Sequence, residues 1–306
     1  MVYKVLIIGL GIGKLYQKVL SDTNKYNVVT IDIDPYKEPD FLDIETCKQV
    51  NPKFDLALVC VPNYLHEELV MKLVTNDMAK TILVEKPGLF DFSAWISAVH
   101  IGEPNKLIMI KNNMYRDSYT AIIKTINENR FDLKSINILW LNKDRVPHPG
   151  SWFTTKKLAF GGVSRDLMPH LLSIYYSLFG ELNIPTDIYK TQKYTLEDLK
   201  SSGYGKVNKD GVYDVDDYCR IKFRNTIKGS IVPVTLAASW KTDIETSKIG
   251  IELEFRGGEK VFYDFNLCPE YAYRKMIEHS LGMSKKEYKK NIDIDIWIHN
   301  ILDNVD

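Results

Sequence analysis

Five short apolar runs alternate with longer segments of helical character in the first 115 residues, and this alternation is the strongest constraint on the fold. An uninterrupted apolar run of this length is typical of a strand that is buried on both faces, as parallel sheets require. The runs cover residues 5–8, 28–31, 56–61, 81–84 and 107–110. Residues 1–115 are therefore predicted to form an α/β domain with a doubly wound parallel sheet.

The pattern changes after Arg116, where longer segments show partial alternation of apolar and polar residues. These segments cover residues 136–141, 220–224, 230–239 and 249–255. A period of two is typical of antiparallel strands with one covered face, so residues 116–306 are predicted to form a C-terminal α+β domain on a mostly antiparallel sheet. A helix is expected over residues 164–178 and a last helix over 293–302, although a strand start remains open there. The polar region 191–215 is expected to be a surface excursion.

Composition excludes several classes of protein. Basic and acidic residues number 40 each, so the chain lacks the excess positive charge that attracts nucleic acids or anionic membranes. The four cysteines form no CxxC pair, and neither a zinc site nor a redox dithiol is predicted. No run of about 20 apolar residues is present, so no membrane span is expected. We expect a cytoplasmic protein without a metal.

The first apolar run ends in Gly9 and Gly11, followed by Ile12 and Gly13, where the first helix is expected to begin. Glycine allows the tight turn, and its bare backbone lets a pyrophosphate approach the positive end of a helix. The usual GxGxxG fingerprint would place its third glycine at Lys14, one residue later than Gly13. An ordinary turn between a strand and a helix is the alternative.

Asp32 ends the second run about 20 residues beyond the glycines, where an acidic side chain can accept hydrogen bonds from the adenosine ribose. Its carboxylate would repel a 2′-phosphate, and no arginine follows it directly. The sequence therefore predicts NAD as cofactor rather than NADP. Asp34 could exchange roles with Asp32, but its place before Pro35 favours helix capping.

Two further segments follow the third and fourth runs. They read Val-Pro-Asn-Tyr-Leu-His at residues 61–66 and Val-Glu-Lys-Pro at 84–87. Both resemble the TPNxxH and EKP signatures of the glucose-fructose oxidoreductase and inositol dehydrogenase (Gfo/Idh/MocA) family, whose N-terminal domain is a Rossmann fold. The resemblance implies a cis bond between Lys86 and Pro87. It also assigns the following residues to the cofactor site: Pro62, Asn63, His66, Glu85 and Lys86.

Each of these residues also has an ordinary structural interpretation. Asn63 alone could cap a helix, His66 could pack in a first helical turn, and Glu85 with Lys86 could form a solvated ion pair. What favours a site is that the motifs follow successive strands, because open α/β sheets bind ligands at the carboxyl ends of their strands.

A third resemblance lies in the second domain. Trp152 and the segment 160–170, Phe-Gly-Gly-Val-Ser-Arg-Asp-Leu-Met-Pro-His, resemble the family's tryptophan, glycine pair and DxGxH-type helix. Asp166 and His170 are four residues apart and would share one face of a helix. In the context of the family, substrate contacts are expected from Lys86, Asp166 and His170; a surface pair that only supports the helix is the alternative for the last two. Further candidates for the substrate pocket, each with packing or surface solvation as the alternative, are Asn112, Tyr115, Trp152 and Arg165.

This motif departs from the family at Met168, where glycine is usual, and at Pro169. Proline is tolerated in a first helical turn, whereas a helix that begins earlier would be kinked. A bulky Met168 is also expected to narrow the substrate pocket, so the substrate of any one relative does not carry over.

The resemblance implies hydride transfer between a nicotinamide and a secondary alcohol or ketone of a sugar, cyclic polyol or sugar derivative. His170 is the candidate base, Asp166 the group that orients it, and Lys86 the group that bonds the reacting oxygen. Family members differ in whether the lysine or the histidine handles the proton. A keto-sugar or imine reductase and a non-catalytic NAD(P)-binding regulator are the alternative functions. We also expect a homo-oligomer formed through the C-terminal sheet.

Overall fold

The structure is a computed structural model, and it describes residues 2–21, 23–103, 105–129, 132–199, 205–227, 229–265 and 268–304. The chain divides into two compact units. The first contains residues 1–115 and 269–300, and the second contains 116–268 and 301–306. The prediction of one unit over 116–306 therefore differs from this division, because residues 269–300 group with the N-terminal part of the chain. Residues 200–204 of the predicted surface excursion lie outside the described residues.

The first unit contains a five-stranded sheet whose strands are all parallel. They are β1 (Tyr3–Ile8), β2 (Tyr26–Ile31), β3 (Phe54–Val59), β4 (Ala79–Val84) and β5 (Lys106–Met109). Their order is β2-β1-β3-β4-β5. The predicted Rossmann-like sheet is confirmed, and each strand coincides with one of the apolar runs.

Four helices connect these strands. They are α1 (Gly13–Ser21), α2 (Ile44–Val50), α3 (His66–Thr75) and α4 (Phe92–Gly102). Aspartates cap two of them: Asp43 accepts a hydrogen bond from the Thr46 N–H and Asp91 from the Ala94 N–H, which satisfies amide groups that a helix start leaves unpaired. Because these two helices begin only after their caps, a loop separates each of them from the preceding strand, and these loops begin with sequence-motif residues.

The second unit contains a six-stranded mixed sheet. Its strands are β6 (Leu133–Leu141), β7 (Asp187–Thr191), β8 (Tyr218–Ile227), β9 (Ser230–Ser239), β10 (Lys248–Phe255) and β11 (Lys260–Asp264). The order is β11-β10-β6-β9-β8-β7, with β6 and β9 parallel and the other pairs antiparallel. The mostly antiparallel sheet is confirmed. The edge strands β7 and β11 were not predicted, because each has only five residues and none of these residues is buried.

The helices of the second unit include a break that proline explains. They are α5 (Tyr119–Glu128), α6 (Lys156–Ala159), α7 (Val163–Asp166) and α8 (Met168–Phe179). The single helix predicted over 164–178 is thus two helices that meet at Leu167. Pro169 lacks an N–H and lies in the first turn of α8, where that loss is tolerated. Gly180, in the left-handed conformation with φ of 64°, ends α8.

The C-terminal segment forms α9 (Glu270–Gly282) and α10 (Lys285–Asp303). Met276, Ile277 and Met283 belong to the same buried cluster as Val5 and Ile7 of β1. This burial of apolar side chains is the physical reason that 269–300 group with the first unit. No helix within the described ranges combines the length and apolar composition needed to span a bilayer.

Candidate cofactor site and active site

The glycine loop between β1 and α1 combines a tight turn with open space. Gly9 has φ of +93°, and a Cβ atom there would lie 2.5 Å from the carbonyl oxygen of Cys60. At Gly11 a Cβ atom would meet nothing within 4 Å. Gly13 begins α1, and a Cβ atom on it would lie 2.9 Å from the Ile7 Cγ2 atom. Gly13 therefore permits the close helix-to-strand packing that the fingerprint assigns to its third glycine, one position early.

Asp32 lies directly after β2 and joins that strand end to the glycine loop. Its Oδ2 atom accepts a hydrogen bond from the Leu10 N–H at 2.6 Å and forms an ion pair with the Lys37 Nζ atom at 2.9 Å. Its Oδ1 atom accepts the Asp34 N–H at 2.9 Å. Burial raises the pKa of Asp32, but these three donors outweigh burial and leave the pKa below its usual value. The site thus holds an ionised carboxylate beside the loop.

Asp34 has a local role. Its Oδ1 atom accepts the Tyr36 N–H at 3.0 Å and caps the short 3₁₀ turn Pro35–Lys37. The capping interpretation of Asp34 is therefore confirmed.

His66 connects the end of β3 to the loop that follows Lys86. It is fully buried, its Nδ1 atom lies 2.7 Å from the Gly88 carbonyl oxygen, and its Nε2 atom lies 2.9 Å from that of Val61. Burial lowers the pKa of His66 to about 4, and the charge of Lys86 acts in the same direction, while the two carbonyls oppose them. This burial favours a positioning role for His66 over the direct cofactor contact that the sequence predicts.

The lowered pKa of His66 predicts acid-sensitive stability. Between pH 6.5 and about pH 4 the unfolded chain binds a proton at His66 that the folded chain does not. The contribution of neutral His66 to the free energy of unfolding is complete above pH 6.5 and falls by about 3 kcal/mol as pH decreases to 4. Urea unfolding across this range should show a flatter pH dependence in His66→Gln. His100→Gln, at an exposed position of α4, is the control; equal slopes in wild type and His66→Gln would contradict the prediction.

Glu85 and Lys86 follow β4 at the neighbouring strand end. Glu85 is nine-tenths buried, and its Oε1 atom accepts a hydrogen bond from the Tyr16 hydroxyl of α1 at 2.8 Å. Its Oε2 atom lies 3.2 Å from the Lys86 N–H donor. Lys86 is half-buried, and its bond to Pro87 is cis, which confirms that prediction. Tyr16 therefore ties the EKP motif to the helix that begins at the glycine loop.

The end of β5 carries Asn112 and Tyr115 in a 3₁₀ turn. Asn112 is 3% exposed, and in the described part of the chain no donor reaches its Oδ1 atom. A buried carbonyl oxygen without a donor is costly, so this atom is suited to a ligand's N–H or hydroxyl. The Tyr115 hydroxyl lies 2.8 Å from the Nδ1 atom of His279 on α9 and is already used within the first unit.

In the second unit, aromatic residues hold Asp166 and His170 against the sheet. The Trp240 Nε1 atom donates a hydrogen bond to the Asp166 Oδ2 atom at 2.8 Å. The His170 ring stacks on Trp140 of β6 with 5.4 Å between centroids and 26° between planes. Trp240 is 1% exposed, so the Asp166 carboxylate is oriented by a rigid, buried donor. Both polar side chains are themselves partly exposed.

Asp216 organises the glycine pair in front of these residues. Its carboxylate accepts hydrogen bonds from the Gly162 N–H at 3.0 Å, the Ser164 N–H at 2.7 Å and the Ser164 hydroxyl at 2.8 Å. An acidic group at the start of a helix stabilises its unpaired amides and its positive end. Asp216 therefore sets where α7 begins, and hence where Asp166 lies.

Two predicted substrate residues are used inside the second unit. Arg165 is 2% exposed and forms an ion pair with Asp303 at 3.2 Å, which favours packing over substrate contact. Trp152 is half-buried and stacks on Phe153 with 3.8 Å between centroids. Met168 is fully buried, so its side chain packs in the interior instead of standing on an open surface.

The described residues contain no group of three or more His, Cys, Asp or Glu side chains placed to hold a metal ion. The four cysteines are free thiols. Burial raises the pKa of Cys60 and of Cys219, so both are neutral at physiological pH.

Five residues that organise these sites lie outside the sequence motifs, because their importance depends on partners distant in sequence. The residues are Tyr16, Lys37, Trp140, Asp216 and Trp240. Lys37 alone had a local signal, namely a basic residue five positions after the ribose-binding aspartate.

One curated relative and two solved structures are similar to this chain. A protein of Amycolatopsis mediterranei (strain S699), provisionally named a UDP-kanosamine synthase oxidoreductase subunit, is 27% identical over 256 residues, covering 78% of this chain and 68% of the relative. The structure of GenD2 from gentamicin A biosynthesis in complex with NAD is similar with a TM-score of 0.72 at 14% identity, covering 99% of this chain and 92% of that one. Levoglucosan dehydrogenase in complex with NADH and levoglucosan has a TM-score of 0.68 at 15% identity, with coverage of 100% and 97%. At these identities the two structures establish the shared fold.

The sequence match of the N-terminal domain is more specific. Residues 3–112 match the Gfo/Idh/MocA family, which is described as an oxidoreductase family with an NAD-binding Rossmann fold. This range contains the glycine loop, Asp32 and both segments that suggested the resemblance. Residues 3–112 are therefore an NAD-binding Rossmann domain of the Gfo/Idh/MocA oxidoreductase family.

Proposed function

We propose that this chain is an NAD-dependent oxidoreductase that transfers hydride between nicotinamide and a secondary alcohol or ketone of a sugar, cyclic polyol or sugar derivative. The observation that carries the proposal is the hydrogen bond from the Leu10 N–H to Asp32, which joins a ribose acceptor to an open glycine loop. The names of the relatives, a UDP-kanosamine synthase subunit and a levoglucosan dehydrogenase, support a sugar substrate.

The first unit fits a dinucleotide. The open space at Gly11 lies at the start of α1, whose first turn carries no acidic residue to oppose a pyrophosphate. Ile33 and Tyr36 are 87% and 94% exposed beside Asp32 and offer apolar surface for an adenine ring. At the neighbouring strand ends, Glu85 is suited to accept bonds from the nicotinamide ribose. Asn112 is suited to accept one from a carboxamide N–H.

The bound nicotinamide supplies the hydride acceptor or donor, and the chain supplies the proton chemistry. Oxidation of an alcohol requires a base for the hydroxyl proton, and a histidine titrates near the working pH. We assign this role to His170, whose ring stacks on Trp140. Asp166, four residues before His170, is oriented by a hydrogen bond from Trp240. Lys86 donates a hydrogen bond to the reacting oxygen and is the alternative proton carrier.

The proposed homo-oligomer would use the open face of the second sheet. This face carries charged pairs between neighbouring side chains, including Lys134 with Glu254 at 2.7 Å and Lys248 with Glu252 at 2.5 Å. An oligomer built on it would therefore have a polar interface, and its association should weaken as salt increases.

A screen of sugars and polyols with NAD, following absorbance of the reduced cofactor, tests the enzyme proposal. We expect turnover on at least one secondary alcohol of a pyranose or cyclic polyol. The reverse reaction with keto sugars and NADH tests the reductase alternative. Tight NAD binding without turnover on any substrate in either direction would contradict the proposal and favour a regulator.

Asp32 predicts a measurable cofactor preference. NAD should bind more tightly than NADP, because the Asp32 carboxylate faces the position of a 2′-phosphate with like charge. Asp32→Ala should narrow the preference in calorimetric titrations of both cofactors. Asp34→Ala, which removes only the turn cap, should leave the ratio of dissociation constants unchanged. NADP binding as tightly as NAD in the wild type would contradict this interpretation of Asp32.

A further inference from the structure

The Asp32 carboxylate carries a cation of its own. Lys37 ends the turn Pro35–Lys37, and its Nζ atom lies 2.9 Å from the Asp32 Oδ2 atom. The Lys37 side chain is 35% exposed, whereas that of Asp32 is 5% exposed. A partly exposed ammonium group is therefore paired with a nearly buried carboxylate at the proposed ribose-binding position.

The hydrogen bonds at Asp32 leave little capacity for a ribose. A carboxylate accepts about four hydrogen bonds, and the Leu10 N–H, the Asp34 N–H and Lys37 already supply three. Two ribose hydroxyls can both donate to Asp32 only when Lys37 moves away. The backbone donors are fixed by the fold, so Lys37 is the partner that exchanges.

The same ammonium changes how Asp32 treats a phosphate. An aspartate alone would repel a 2′-phosphate, but the pair of Asp32 and Lys37 has no net charge. Lys37 has a flexible stem and is partly exposed, so it can turn from the carboxylate to a phosphate oxygen. The attraction between the Lys37 ammonium group and the phosphate then partly offsets the repulsion by Asp32.

We propose that Lys37 is a cofactor-specificity residue: it reduces discrimination by Asp32 and binds a 2′-phosphate, so that NADP serves as a second, weaker cofactor. This inference rests on the proposed NAD-dependent function. In this proposal Asp32 determines that NAD binds more tightly than NADP, and Lys37 determines how large the ratio of the two dissociation constants is.

Lys37→Met tests the proposal because it removes the charge and keeps most of the stem. We expect the dissociation constant of NADP, measured by calorimetry, to increase about fivefold, the size of a partly exposed ion pair. That of NAD should stay the same or decrease, because a lone pair of Asp32 becomes available. Lys37→Arg should retain NADP binding. Higher salt should weaken NADP binding more in the wild type than in Lys37→Met.

Lys80→Met is the matched control. Lys80 also pairs with an aspartate, Asp55 at 2.8 Å, but near the amino end of β4, away from the glycine loop. Its loss should change neither dissociation constant. An equal loss of both cofactors in Lys37→Met would show that Lys37 only supports the loop, and an unchanged ratio would also overturn the proposal. Failure of the wild type to bind either cofactor would instead contradict the proposed function.

Discussion

Replacement of Lys86 or His170 by alanine is expected to lower turnover by about 10²- to 10⁴-fold, the usual contribution of general acid–base groups. NAD affinity should change little, because the proposed pyrophosphate and adenosine contacts involve Gly11 and Asp32. The double variant should lose less than the product of the single losses, since groups that act as a unit are not additive. Steady-state kinetics on the substrate from the screen, together with NAD titration, measures both quantities.

His100→Ala is the control for this series, since His100 lies at an exposed position of α4. It should retain full turnover. Full activity in His170→Ala would remove His170 from the mechanism and leave Lys86 as the proton carrier. Full activity in both single variants would contradict the catalytic assignment while leaving the family and the fold unchanged.

The second large effect is expected at a buried ion pair between Lys111 and Asp295. Lys111 follows β5 and is 4% exposed, and Asp295 of α10 is fully buried and also accepts the Met109 N–H at 3.1 Å. Burial lowers the pKa of Lys111 and raises that of Asp295, and each is opposed by its partner. Lys111→Met leaves a buried carboxyl alone and should reduce the free energy of unfolding by about 3–5 kcal/mol.

The pH dependence of this loss has a definite sign. Without Lys111, burial raises the pKa of Asp295 further, so the folded variant binds a proton that the unfolded chain releases above its usual pKa of 3.8. The stability deficit of Lys111→Met relative to the wild type should therefore shrink as pH decreases toward 3.8. Urea denaturation at several pH values measures it.

Two further variants make this prediction specific. Lys111→Met combined with Asp295→Asn should recover most of the loss, because no charge remains buried and the amide oxygen can still accept the Met109 N–H. Lys18→Met removes an exposed pair with Glu270 that also joins the C-terminal segment to the first unit. It should cost less than about 1 kcal/mol. Equal losses in Lys18→Met and Lys111→Met would contradict the buried-pair argument.

The cofactor half of the candidate site was accessible from sequence because its signals are local. Gly9, Gly11 and Asp32 lie at or just after strand ends that apolar runs reveal, and their spacing reflects one βαβ unit. The motifs at 61–66 and 84–87 follow the next two strands for the same reason. His66 shows the limit of this reasoning: its position in the motif was clear, but its burial and its two carbonyl partners depend on the folded loop.

Residues that act through distant partners were not accessible in this way. Trp240 is recognised as the donor to Asp166 only when β9 lies beside α7, and Tyr16 as the donor to Glu85 only when α1 packs on the sheet. The break at Leu167 lay between these cases. Pro169 indicated either a helix start or a kink near this position. Whether a helix also began before the proline depended on the hydrogen bonds that Asp216 accepts at the start of α7.

Periodicity, turn residues and short motifs were enough to predict the parallel sheet, the mostly antiparallel sheet and the family of the N-terminal domain, because each of these signals lies within a short stretch of the chain. The placement of residues 269–300 was not, since their polar helices give no sign of the partner they cover. Burial of Met276 and Ile277 against β1, and of Asp295 against Lys111, joins segments more than 180 residues apart. Such contacts form only where the folded chain brings a complementary surface, and no local pattern encodes them.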